Sequence, residues 1–397
     1  MQRLGFLKHL VSRGSLTSTS TLRVLGDDLI QTLSKKVAVP ITPELAQYVQ
    51  QALTDGAYKP IRDAVERVKE QGTGGDSVNV ELQDLYLASA ELPSKRGKLA
   101  AKEWRKYPYL AVGLGLIRKE SYSVLVRGQV FLKLVSPQEI AAFKNYSQDV
   151  NPLMLTTSQK LFFLFTLIEH DRDVLLPLYR ELLSVNAGFS DREAGDLLPG
   201  IMRKAHQKLR PRVSNAADLA RLQRLLETAG TIEQWRVRAY SGKGAREETV
   251  TPRLEPFVDL GVLAKDSPFS YRYQLTTLGR CLMGELAKKE DYDSELDVYF
   301  FAQATEAFGL SIPHLAASSE VLAALYESYR VLASPFGYAP IREVLLLAAI
   351  SSINEGKGYF EMAEGLETLR MAQRERSEFV RLNVDRWGKV NVVKFLQ

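Results

Sequence analysis

Apolar residues recur every three or four positions along most of the chain, and short alternating stretches break that rhythm at a few places. The clearest break lies between Val250 and Leu286. Leu254, Phe257, Val258 and Val262 keep helical spacing, and Gly261 stands where a glycine lets a helix end turn left-handed. Val262-Leu263 then runs extended, Lys265-Asp266-Ser267-Pro268 turns, and Tyr271–Leu275 alternates as a half-buried strand does. Thr276-Thr277-Leu278-Gly279 closes the strand and opens another helix. The order recurs upstream, from Ala100 to Leu134. There a helix carrying Trp104, Leu110 and Val112 ends at Gly113–Ile117, Arg118–Ser121 turns, Tyr122–Val126 reads as a strand, and Gly128 takes the place of Gly279. A spaced internal repeat is a stronger signal than either copy alone. Near the C-terminus, Ile341–Ile353 and Phe360–Arg374 read as helices. Glu378–Val384 and Lys389–Phe395 read as strands around an Asp385-Arg386-Trp387-Gly388 turn.

The pieces "LGVL…YQLTTLG" and "LGLIRKESYSVLVRGQVFL" resemble the helix-to-wing signature of winged helix-turn-helix domains. The resemblance implies a mainly α fold with small β-hairpin wings (α+β), in tandem winged-helix domains with a helical arm and a linker. The expected boundaries are an N-terminal helical arm at 1–77, winged helix 1 at 78–150, winged helix 2 with an insertion at 151–286, a helical linker at 287–339 and winged helix 3 at 340–397. In the arm, Leu22–Leu33 is amphipathic, Thr42-Pro43 starts a helix, and Gly72–Asp76 is a loop. In the second module Leu161–Glu169 and Val174–Leu183 read as two helices joined by a charged His170-Asp171-Arg172-Asp173 turn. Its insertion, Arg203–Arg246, is rich in arginine and holds Lys208-Leu209-Arg210-Pro211-Arg212 and a Ser241–Gly244 turn.

Three such modules in a row, over 78–397, are similar to the DNA-recognition part of FokI-type restriction endonucleases. The chain offers no counterpart of their nuclease region after residue 397, so the resemblance implies reading of duplex DNA without cleavage. A recognition or accessory subunit of a prokaryotic defence system, partnered by a separate enzyme, is the expected role, with a regulator as a variant of it. The competing expectation is a scaffold subunit that uses winged helices for protein contacts, with the acidic Glu290–Asp297 stretch docking a basic partner.

Charge sharpens this picture. The 397 residues carry a net charge of +5, yet between Lys95 and Lys133 ten lysines and arginines face only Glu103 and Glu120. Cations on a recognition helix and wing neutralise phosphates and release counterions, while base edges supply specificity. The candidate DNA-binding residues are therefore Lys98, Lys102, Arg105, Lys106 and Lys119 in the first module, and Arg253 and Arg272 in the second. Arg370, Arg374, Arg386 and Lys389 complete the set in the third.

Candidate chemistry is sparse. The sequence has no GxxxxGK[ST] loop, no HExxH, and four scattered histidines, His9, His170, His206 and His314. Glu343, Glu355 and Lys357 give a loose acid…acid-x-lysine order, but on a predicted helix where a nuclease needs strands. The single cysteine, Cys281, excludes an internal disulfide framework and reads as a small buried hydrophobe. No apolar run reaches the roughly 18 residues of a membrane span, and the N-terminus lacks a secretory pattern. The expectation is a cytoplasmic, non-catalytic protein with no cofactor or metal.

Overall fold

The structure, a computed structural model, describes residues 3–5, 7–8, 10–11, 106–119, 123–139, 154–185, 188–213, 216–237, 250–266, 270–288, 292–384 and 390–396. The Leu22–Leu33, Thr42-Pro43 and Gly72–Asp76 features, the Ser241–Gly244 turn and the Asp385–Gly388 turn lie outside these residues. The chain divides into two compact units, Met1–Lys160 with Ser328–Leu347 and Asn383–Phe395, and Leu161–Glu327 with Ala348–Leu382 and Leu396–Gln397.

The described residues are mainly helical, with two small three-stranded sheets. In chain order the helices are α1 (Lys106–Gly113), α2 (Val126–Lys133), α3 (Thr157–Leu183), α4 (Asp191–Leu209), α5 (Ala216–Val237) and α6 (Thr251–Asp259). They continue with α7 (Thr277–Leu286), α8 (Tyr292–Ala307), α9 (Ser318–Leu332), α10 (Ile341–Asn354) and α11 (Met362–Glu375). Strands β1 (Phe189–Ser190), β2 (Leu263–Lys265) and β3 (Arg272–Leu275) form one sheet. Strands β4 (Ala339–Pro340), β5 (Val380–Val384) and β6 (Val390–Phe395) form the other. Both sheets have the same order: the first strand pairs antiparallel with the third, which also neighbours the second.

In the first unit the N-terminal segment is part of the core. Leu4, Leu7, Leu10 and Val11 are fully buried, as is Lys8. The Lys8 ammonium donates to the Glu139 carboxylate and to the Met154 carbonyl. Glu139 accepts further from the Ser136 amide (2.8 Å) and the Gln159 side-chain amide (3.1 Å). Gln159 is itself the third residue of α3 and forms a reciprocal box with Thr156, satisfying amides that a helix start leaves unpaired. Burial, the largest influence on Lys8, lowers its pKa against the pull of Glu139. Burial pushes the Glu139 carboxyl up, but Lys8, Ser136 and Gln159 together hold it below its ordinary value.

In the second unit Phe162, Phe163 and Phe165 of α3 are fully buried. Phe165 meets Phe300 edge-on at 5.2 Å and stacks on Phe301 at 6.1 Å. The charged His170–Asp173 stretch separates two helices, as its polarity suggests: Asp171 leaves helical geometry (φ −131°, ψ 25°) and kinks α3 there. The apolar residues on both sides of the kink are buried.

Helix α4 starts from β1 with a capping box between Ser190 and Glu193. Its inner stripe of Ala194, Leu198, Ile201 and Ala205 packs beside α5.

The repeated stretch has the same hydrogen-bond plan in both copies. After α1, the amides of Leu114, Gly115 and Leu116 donate to the carbonyls of Leu110, Val112 and Ala111 at 2.9, 3.0 and 2.9 Å. After α6, Leu260, Gly261 and Val262 donate to Pro256, Val258 and Phe257 at 3.1, 3.0 and 2.9 Å. These are Schellman ends, with Gly115 (φ 70°) and Gly261 (φ 78°) in the left-handed region that favours glycine. The returning chain then closes on the residue after the glycine, Leu125 donating to Leu116 (3.0 Å) and Thr276 to Val262 (3.1 Å). Gly128 and Gly279, each the third residue of the next helix, lie under those same two carbonyls. A Cβ at either position would sit 2.1 Å from the oxygen.

One strand expectation is corrected. Instead of a Tyr122–Val126 strand, the described residues show a single Ile117↔Val124 bridge, and Val126 already begins α2. The helix must start there to bring Gly128 beneath Leu116.

Candidate nucleic-acid interface

The β3 pleat decides what the second hairpin offers to a ligand. Arg272 and Gln274 face outward, whereas Tyr273 and Leu275 are buried. Tyr273 stacks on Phe189 at 5.9 Å and donates its hydroxyl to Glu255 at 2.5 Å. Glu255, also buried, takes Lys265 at 2.9 Å, and the ammonium lies 5.5 Å from the centre of the Tyr273 ring. This buried carboxylate–lysine–tyrosine group anchors the turn end of the hairpin, where Lys265 pairs with Tyr273. Arg272 is left as the cation on its outer face.

Most predicted contact residues that the structure describes are already engaged by carboxylates. Arg272 lies 3.8 Å from Asp266 and remains well exposed. It also faces Glu193, whose carboxyl is held below its ordinary value by hydrogen bonds from the Ser190 amide and hydroxyl and by the Arg272 charge. Arg253, largely covered, donates to Asp171 at 2.6 Å. Arg370 and Arg374 project from the outer face of α11 and share Glu367 at 3.5 and 3.6 Å. That face is set by the inner stripe of Met362, Gly365, Thr368, Leu369 and Ala372. Lys119 lies in the exposed turn of the first copy, beside Arg118, and neither pairs with a carboxylate among the described residues. Lys106 opens α1, but its side chain is outside the described set, as are Lys98, Lys102, Arg105, Arg386 and Lys389.

The weaker chemical candidates resolve into ion pairs. Glu343 takes Arg127 at 3.0 Å, and Glu355 takes Lys357 at 2.5 Å on an exposed turn. His314, exposed, hydrogen-bonds both oxygens of Glu364 at 2.9 and 3.0 Å. Among the described residues no group of three His, Cys, Asp or Glu is placed to hold a metal ion, and no helix is long and apolar enough to cross a membrane. Cys281 is half-buried rather than buried. Desolvation, followed by Glu306 and Glu285, pushes its thiol up and away from the reactive thiolate.

Two features escaped the sequence reading of the site. One is Glu361, a buried carboxylate at the start of α11 that accepts the amides of Phe301 (3.1 Å) and Ala302 (2.7 Å) from α8. Burial raises its pKa to about 7 against those two hydrogen bonds. The other is the basic connection between α4 and α5, discernible in the run of arginines but not assigned to the site. Comparison with protein-family models, curated proteins and solved structures finds no match.

Proposed function

We propose that this chain is a duplex-DNA-binding protein built from tandem winged helices, reading DNA for a separate enzyme or complex rather than cutting it. The observation that carries the reading is the twice-occurring sheet order, in which a strand leading into a helix pairs with the far strand of a later hairpin. That is the plan of a winged helix, whose last helix before the hairpin enters the major groove while the wing touches the backbone. The repeated Schellman end and closing hydrogen bond support it in the first copy, where Lys119 occupies the wing turn.

The test is retention of a random duplex pool by the full chain at several salt concentrations, followed by sequencing. A steep salt slope with an enriched motif supports a sequence reader. No retention at low salt rejects DNA binding. A second reading, a winged-helix scaffold for protein contacts, draws support from the ion pairs that occupy Arg253, Arg272, Arg370 and Arg374. Partner capture without DNA affinity would favour it.

A further inference from the structure

We propose that the connection between α4 and α5 is a second phosphate-binding point for the same duplex, an inference that rests on the DNA-binding reading above. Between Met202 and Arg224 the sequence places seven lysines and arginines against one acid, Asp218. α4 ends in Lys204 and Lys208, four residues apart and both exposed, and the 3-10 turn Arg210–Arg212 follows directly. Pro211 fixes φ within that turn, holding Arg210 and Arg212 out in solvent on a short rigid segment. Arg224 is exposed on α5. The nearby Arg203 is paired with Glu233 across the two helices. In contrast, Lys204, Arg210, Arg212 and Arg224 have no carboxylate partner among the described residues.

Helix ends favour cations, but that effect fades within the last turn, so it leaves Arg212 and Arg224 unexplained. The chemistry of the patch also chooses between partners. Protein interfaces centre on buried apolar and aromatic anchors with a polar rim. No residue of the Arg210–Arg212 turn is buried, and the turn carries no aromatic side chain. Polyphosphate recognition needs only accessible cations.

Geometry links the patch to the wing. Ser190 is in register with Arg272 and caps α4. The 19 residues of α4 therefore separate Arg272 from the basic turn by about 28 Å. One turn of duplex is roughly 34 Å long, enough for a single site to reach both.

The test compares the full chain with Arg210→Glu/Arg212→Glu, both folded by circular dichroism, using fluorescence anisotropy of a duplex about three turns long over a salt series. Lys204→Glu/Arg224→Glu is a second variant that leaves the turn intact. Neutralising a contacted phosphate contributes about 0.9 to the slope of log K against log salt. The turn variant is expected to lose affinity about tenfold or more and to lower that slope by roughly two. The helix variant shifts both in the same direction. Wild-type binding with an unchanged slope in both variants overturns the second contact point and leaves the DNA reading standing. Absence of wild-type binding removes both.

Discussion

Two glycines on α7 provide a controlled experiment on the repeated motif. Gly284 has nothing within 4 Å of where a Cβ would stand, whereas a Cβ at Gly279 would be 2.1 Å from the Val262 oxygen and 3.1 Å from Leu275 Cδ2. Both lie inside the same helix, so alanine should gain about 0.8–1 kcal/mol of intrinsic propensity at each. Gly284→Ala is expected to keep that gain. At Gly279 the obstacle is backbone, and ordinary contact requires more than 3 Å, so the Val262 carbonyl must retreat by about 1 Å. That movement strains the hydrogen bond it accepts from Thr276 at 3.1 Å and the one from the Thr276 hydroxyl at the same distance. Overpacking costs about 1–3 kcal/mol and each lost hydrogen bond about 1 kcal/mol, so Gly279→Ala should lose about 2–4 kcal/mol net. Urea denaturation followed by circular dichroism gives the ranking, and amide exchange over 250–288 localises it. Equal stability of the two alanine variants would refute the close-approach argument. Gly128→Ala applies the same test to the first copy, where the Leu116 oxygen is equally close.

Other outcomes follow from the buried charges and the exposed cations. Lys8→Met strands the Glu139 carboxylate in the core and should cost about 3–5 kcal/mol. Lys8→Met/Glu139→Gln should recover much of it, and comparable losses in the single and double variants would show that the pair is not coupled. Glu361 has a folded pKa of about 7, raised above the ordinary carboxylate value, so its contribution is fully present below about pH 4 and is lost as pH rises through 7. With 1.36 kcal/mol per unit that amounts to about 3 kcal/mol. Glu361→Gln should flatten stability against pH across this window, and an unchanged profile would remove Glu361 as the source. Lys119→Glu, which disturbs no ion pair among the described residues, should weaken duplex retention and lower the salt slope by about one. Binding identical to wild type would take the first wing off the DNA surface.

The helical character, the hairpins and the repeat were legible in the sequence because glycine at a left-handed helix end and glycine under a carbonyl are local requirements. Gly128 aligns with Gly279 in the sequence alone, and their surroundings agree to the hydrogen bond. The helix start at Val126 was not legible, since Tyr122–Val126 alternates as a strand would and only the approach of Gly128 to Leu116 dictates otherwise. Contacts between distant positions were also hidden. Lys8 and Glu139 are 131 residues apart, and nothing local marks Asp171 as the partner of Arg253. For the candidate interface, sequence supplied where cations lie but not which carboxylates stand beside them. Glu367 and Asp266 temper Arg370, Arg374 and Arg272 through side-chain geometry alone.

The closing hydrogen bonds at the base of each hairpin, Leu125 to Leu116 and Thr276 to Val262, separate frame from tip. The angle between the incoming and outgoing helices is set at the base by glycines and carbonyls, whatever the turn beyond them contains. The two copies already differ there in composition, Arg118–Ser123 against Asp266–Tyr271. The tip is thus an interchangeable part. Grafting one turn onto the other frame should transfer its surface chemistry without re-aiming the helices that flank it.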